Sequence, residues 1–130
     1  MDGLIVCELA FFDRHERLCM VGVIKRFVVP ELPLAVNQLM LVTSAPESLD
    51  PDDGQVSVTV RTPSGFLITP NPPDQMDVEL SGEYVLVTLR ELPLFSEGVY
   101  EFQMVLGSGT PLVAHVSVLS IQERSRAEVH

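Results

Sequence analysis

Leu94-Phe95-Ser96-Glu97-Gly98-Val99-Tyr100-Glu101-Phe102 is the stretch whose reading decides the fold. It ends in an alternating run: Tyr100, Phe102, Met104 and Leu106 against Glu101, Gln103 and Val105. Period two marks a strand with one face in a core and the other mostly wet. A glycine, one residue and then a tyrosine stand at its entrance. A tyrosine so placed turns its hydroxyl back to a backbone group a few residues upstream and locks a crossover between two sheets. The plainer role for Tyr100 is that of an ordinary core aromatic.

The same rhythm spreads outward from this strand. Val56, Val58 and Val60 alternate with Ser57, Thr59 and Arg61, and Met76, Val78 and Leu80 with Asp77, Glu79 and Ser81. Val85, Val87 and Leu89 alternate with Leu86, Thr88 and Arg90, and Leu112, Ala114, Val116 and Val118 with Val113, His115, Ser117 and Leu119. The first set of each is expected inside. Turn residues punctuate the runs: Pro51-Asp52-Asp53-Gly54, Pro63-Ser64-Gly65, Ser81-Gly82 and Gly107-Ser108-Gly109. The last predicts a hairpin. Pro70-Asn71-Pro72-Pro73-Asp74 is a loop, because three prolines remove three ladder donors.

The first third differs. Leu4–Phe12 and Leu18–Val29 are apolar on both faces, so these strands are expected to be central or covered on both sides. A hairpin around Asp13–Arg17 would set Phe12 opposite Leu18 and Phe11 opposite Cys19. Cys7 then lies roughly 13 Å further along at strand rise, too far for a disulfide with Cys19. Both thiols read as small hydrophobes. Pro30-Glu31-Leu32-Pro33 breaks the chain before a strand over Asn37–Thr43. About eight mostly antiparallel strands and no credible internal helix predict an all-β, immunoglobulin-like β-sandwich over residues 1–120. Residues 121–130 read as a polar C-terminal tail.

The 130 residues carry 18 Asp+Glu against 8 Lys+Arg, a formal charge of −10. That balance argues against nucleic acid, whose binders need cations to displace counterions, and against an anionic membrane surface. The N-terminus lacks the basic residues and the long apolar run of a signal peptide, so the expected address is a cytosol. Between Phe27 and Gln122 only Arg61 and Arg90 face twelve carboxylates. The cations gather instead at Arg14, Arg17, Lys25 and Arg26, with Arg124 and Arg126 in the tail. Lys25 is the sole lysine, so the usual guard of sheet edges is scarce. Val105, Val113 and Leu119 should point outward from the last hairpin. An outward apolar strip of this kind suggests a covered face, and hence a protein partner or a homodimer.

Chemistry-bearing clusters are few. Asp50, Asp52 and Asp53 form the one carboxylate cluster and are the candidate metal ligands, for calcium in a calcium- or glycan-binding sandwich. Six to eight oxygens are needed, however, and Asp74 and Asp77 are the nearest further donors. A solvated turn explains the same residues. His15, His115 and His130 share no zinc-ligand spacing. No Gly-x-Ser-x-Gly is present, and Gly107-Ser108-Gly109 precedes a strand rather than a helix, which leaves it without oriented phosphate-binding amides. No catalytic residue and no cofactor are expected.

The chain resembles a bacterial family of small domains of unknown function. Its members open with an apolar strand ending in aspartate, here Cys7-Glu8-Leu9-Ala10-Phe11-Phe12-Asp13, followed by Arg17-Leu18-Cys19-Met20-Val21-Gly22-Val23. They close with the pattern Leu92-Pro93-Leu94-Phe95-Ser96-Glu97-Gly98-Val99-Tyr100-Glu101-Phe102. Arg17 stands in place of the usual lysine, and the Asp50–Gly54 loop is unusually acidic. The resemblance runs from about Leu4 to Leu119. It implies an immunoglobulin-like sandwich and no catalytic residue.

Overall fold

The structure, a computed structural model, describes residues 3–45, 56–72, 74–81, 83–107 and 109–121. Ten strands lie among them: β1 (Ile5–Phe12), β2 (Leu18–Val23), β3 (Arg26–Val29), β4 (Leu34–Ser44), β5 (Val56–Arg61), β6 (Leu67–Ile68), β7 (Met76–Ser81), β8 (Tyr84–Leu94), β9 (Gly98–Leu106) and β10 (Leu112–Ser120). One sheet has the order β2-β1-β4-β8-β7 and the other β3-β10-β9-β5-β6. All pairings are antiparallel except that of β3 with β10. The order β4-β8-β7 opposite β6-β5-β9-β10 is the immunoglobulin arrangement of two sheets. The chain is an immunoglobulin-like β-sandwich.

Ten strands replace the expected eight for local reasons. The apolar run Leu18–Val29 is cut at Ile24-Lys25, where the chain crosses from the first sheet to the second. Ile24 N–H donates to Val6 C=O at 2.7 Å, and Ser117 N–H donates to Lys25 C=O at 3.1 Å. This joint therefore belongs to both sheets. The β4 strand begins at Leu34 rather than Asn37, because β8 continues far enough to pair Leu94 with Leu34.

The core lies between the sheets. Val58, Val60, Val87, Leu41, Tyr100, Phe102, Met104 and Val118 are all buried. Each such side chain contributes about 1.5–3 kcal/mol relative to exposure. Two expected facings are corrected. Val78 is 39% exposed, because β7 is an edge strand. Leu86, expected outward, is 1% exposed. It belongs to a second apolar cluster with Cys7, Ala10, Met40 and Val42 on the far face of the first sheet.

Two strand pairs also change face part-way. In β4, Val36 and then Leu39 and Leu41 enter the main core, and in β8 Leu89 and then Leu92 and Leu94 do so. The spacing of three in both strands falls at the position where Glu91 has a φ of 54°. Such a left-handed residue shifts a strand's alternation by one. The second change lies between Cys7 and Ala10, opposite Gly22, whose φ is 68°.

Candidate interaction surfaces

The β1–β2 hairpin has the predicted register, with Phe12 opposite Leu18, Phe11 opposite Cys19 and Cys7 opposite Val23. Its turn is built on Asp13. The Asp13 carboxylate accepts from His15 N–H at 2.8 Å, from Arg17 N–H at 2.9 Å and from the Arg17 Nε at 2.8 Å. The Arg17 backbone N–H, with that of His15 and the guanidinium of Arg17 adding to it, holds this carboxyl below the usual aspartate value. Glu16 completes the turn with a φ of 60°.

The hairpin does not stay in the plane of its sheet. Pairing of β1 with β4 ends at Cys7 opposite Met40, and Ala10 N–H then points at the Met40 sulfur, 3.1 Å away. Beyond that point Ala10, Phe12, Leu18 and Met20 pack with Met40, Val42, Leu86 and Tyr84. The Phe12 and Tyr84 rings lie 6.2 Å apart, although Tyr84 belongs to β8, two strands away from β1. The distal hairpin thus folds over the far face of the sheet and covers it. This is why Leu86 is buried, and why β4 is buried on both faces only from Leu39 to Thr43.

Covering one surface exposes another. On the hairpin's back, Leu9 is 42% exposed, Phe11 43% and Val21 51%. Leu9 faces Val21 and Phe11 faces Cys19 across the strands, so these side chains adjoin one another. The expectation that Leu18–Val29 would be central or covered is therefore corrected. The β2 strand is an edge, with its second half exposed.

The outer face of the second sheet is less apolar than the sequence suggests. Val113 is exposed, and it sits diagonal to Val105 in the β9–β10 register. Leu119 is separated from them by His115 and Ser117 and pairs instead with Val28. The expected continuous strip is thus broken. Its middle is a polar row: His115 faces Glu101, which faces Arg61. The His115 Nε2 lies 3.6 Å from Glu101 Oε2.

Asp50, Asp52 and Asp53 lie outside the described residues, as do His130 and the tail beyond Ile121. Ala45, the last described residue before the acidic loop, adjoins the end of the sheet where Ser81 and Tyr84 pair, its N–H donating to Glu83 C=O at 2.7 Å. Asp77 lies near the opposite end of β7 and bonds Arg90. Asp74 precedes β7, roughly 20 Å from Ser81 at strand rise. These two aspartates therefore lie away from Ala45. Among the described residues no group of three His, Cys, Asp or Glu is placed to hold a metal. Cys7 and Cys19 are both free. Burial pushes the Cys7 thiol above its ordinary value, against a smaller opposing hydrogen bond from the Leu9 backbone.

Tyr100 takes the locking role. Its side chain is fully buried. The hydroxyl donates to Ser96 C=O at 2.9 Å and accepts from Phe95 N–H at 3.0 Å and Ser96 N–H at 3.2 Å. This is the tyrosine corner of immunoglobulin-like sandwiches, with Phe102 where antibody domains carry a cysteine. No protein-family model matches the chain, and no curated protein matches it. Among solved structures, it is similar to the ZIG-8–RIG-5 IG1–IG1 heterodimer, with 20% identity, a TM-score of 0.38, and coverage of 75% of this chain and 82% of that one. The ZIG-8 IG1 homodimer gives 18%, 0.37, 75% and 80%. The Ig1 domain of mouse SynCAM 2 gives 14%, 0.35, 74% and 92%. The immunoglobulin-like assignment rests on the strand order and on Tyr100 rather than on these likenesses.

Proposed function

We propose that this chain is a non-catalytic, protein-binding immunoglobulin-like module of a bacterial cytosol. The observation that carries the binding role is the exposed back of the β1–β2 hairpin, Leu9, Phe11 and Val21, set along a sheet edge. Adjoining large apolar side chains in water mark a protein interface far better than scattered ones do. Two free thiols, one buried and one half-buried, support a reducing compartment. The resemblance of the opening and closing strands to a bacterial family supports the source.

The test compares the full chain with a Phe11→Asp, Val21→Asp variant by light scattering and by affinity capture from bacterial cells. Association, with itself or with a captured protein, is expected for the wild type and lost in the variant. Identical behaviour of the two proteins would overturn the role of the hairpin. Millimolar calcium is expected to leave the melting midpoint in place. A ligand at 100 times its dissociation constant adds about 2.7 kcal/mol, so a clear rise would restore the calcium reading of Asp50, Asp52 and Asp53.

A further inference from the structure

A different surface lies where the sandwich is open on its side. Ser117 N–H points away from β9, to Lys25. By the two-residue repeat of a strand, the N–H and C=O groups of Val113 and His115 point the same way. The β3 strand pairs with β10 only from Ser117 to Ser120. Among the described residues, no strand pairs with β10 at Val113 and His115 on this side, although β1 passes close by. Four backbone groups are therefore left open to a further strand.

Beside this free stretch is a cleft of about 250 Å³. It is lined by apolar side chains, chiefly Leu4, Val6, Val23, Ile24 and Ala114, together with Lys25 and His115. An apolar cavity of about 150 Å³ is enough to hold a benzene ring, so this one admits a leucine or phenylalanine side chain. Lys25 has no carboxylate within ion-pair distance among the described residues. Arg26 follows it, opposite Ser117. In a chain of charge −10 this is a local basic rim.

We propose that the free stretch of β10 accepts an extended segment of another protein, which adds as a strand. One of its apolar side chains enters the cleft, and an Asp or Glu one or two positions away pairs with Lys25. Backbone bonds to Val113 and His115 provide affinity, while the cleft and Lys25 provide selectivity. The unfilled edge, the adjoining cleft and the unpaired cation all fit this one kind of ligand.

The experiment selects a random twelve-residue peptide library on the full chain and then measures synthetic copies of the enriched peptides. Enriched sequences are expected to share an apolar residue close to Asp or Glu. Lys25→Glu and Val113→Pro should each weaken binding about tenfold or more, whereas Val113→Thr should not. Proline at an edge position removes only a free N–H, and a melting curve checks that the variant folds. Methylation of alternate peptide nitrogens should also abolish binding, and the His115 amide should exchange more slowly once peptide is bound. Phe11→Asp should leave peptide binding unchanged, which separates this surface from the hairpin. Absence of enrichment, equal binding by Lys25→Glu and Val113→Pro, or tolerance of methylation would overturn the proposal. So would self-association lost on Val113→Pro, which would assign the edge to a second copy.

Discussion

The crossover at Tyr100 and the hairpin at Asp13 both fasten a chain segment to the sandwich, by opposite means. At the crossover, one buried hydroxyl makes three hydrogen bonds to the backbone of Phe95 and Ser96. The hairpin is held by packing, with Phe12, Leu18 and Met20 laid against Leu86 and Tyr84. A hydroxyl enclosed in this way presents nothing to a partner. A two-faced hairpin that buries one apolar side must show the other. The difference teaches where binding surface comes from in this fold: it is the reverse of the segment that covers the sheet.

Substitutions can break this contrast. The largest effect is expected for Phe102→Ala in the main core, a loss of about 4 kcal/mol in denaturant unfolding. Leu86→Ala should cost about 3 kcal/mol by the same measurement; a value near zero would mean that the hairpin does not cover Leu86 in solution. Tyr100→Phe should cost about 2 kcal/mol, because it leaves the Phe95 and Ser96 N–H groups without their acceptor. Phe11→Asp, on the hairpin's exposed back, should change stability by no more than about 0.5 kcal/mol. Thiol labelling of the native protein should modify Cys19 and spare Cys7.

The smallest effect concerns pH. The folded pKa of Asp13 lies below its unfolded value, so its turn bonds stabilise the hairpin above the usual aspartate range. That contribution is lost as pH falls through the lowered value. A carbon-detected NMR titration should find the Asp13 midpoint below that of an unfolded-chain aspartate, and Arg17→Ala should move it upward.

Much of the architecture is legible from alternation and turns. The strands around Val58, Val87 and Phe102, the hairpin register of Phe11 with Cys19, and Tyr100 all follow from spacing alone. Facing is less legible where the alternation slips. Nothing in the composition around Asn37 and Glu91, or around Glu8 and Gly22, announces a change of face, because a left-handed residue such as Glu91 looks ordinary in a sequence. Leu86 reads as outward because its cover comes from residues more than sixty positions earlier. The double-sided apolarity of β1 and β2 is visible. Which side is covered is not, since that depends on the hairpin leaving the sheet after Cys7. The candidate edge at Val113 and His115 is equally hidden, because it arises from where β3 stops.

The parallel pairing of β3 with β10 also bears on synthesis. Arg26–Val29 finds its strand partner only about ninety residues later in the chain. A growing polypeptide can assemble the hairpin and the β4–β8 pair well before that partner exists. The two layers are stitched together at Ile24-Lys25 only when β10 has left the ribosome, so the nascent chain carries an unzipped seam until then.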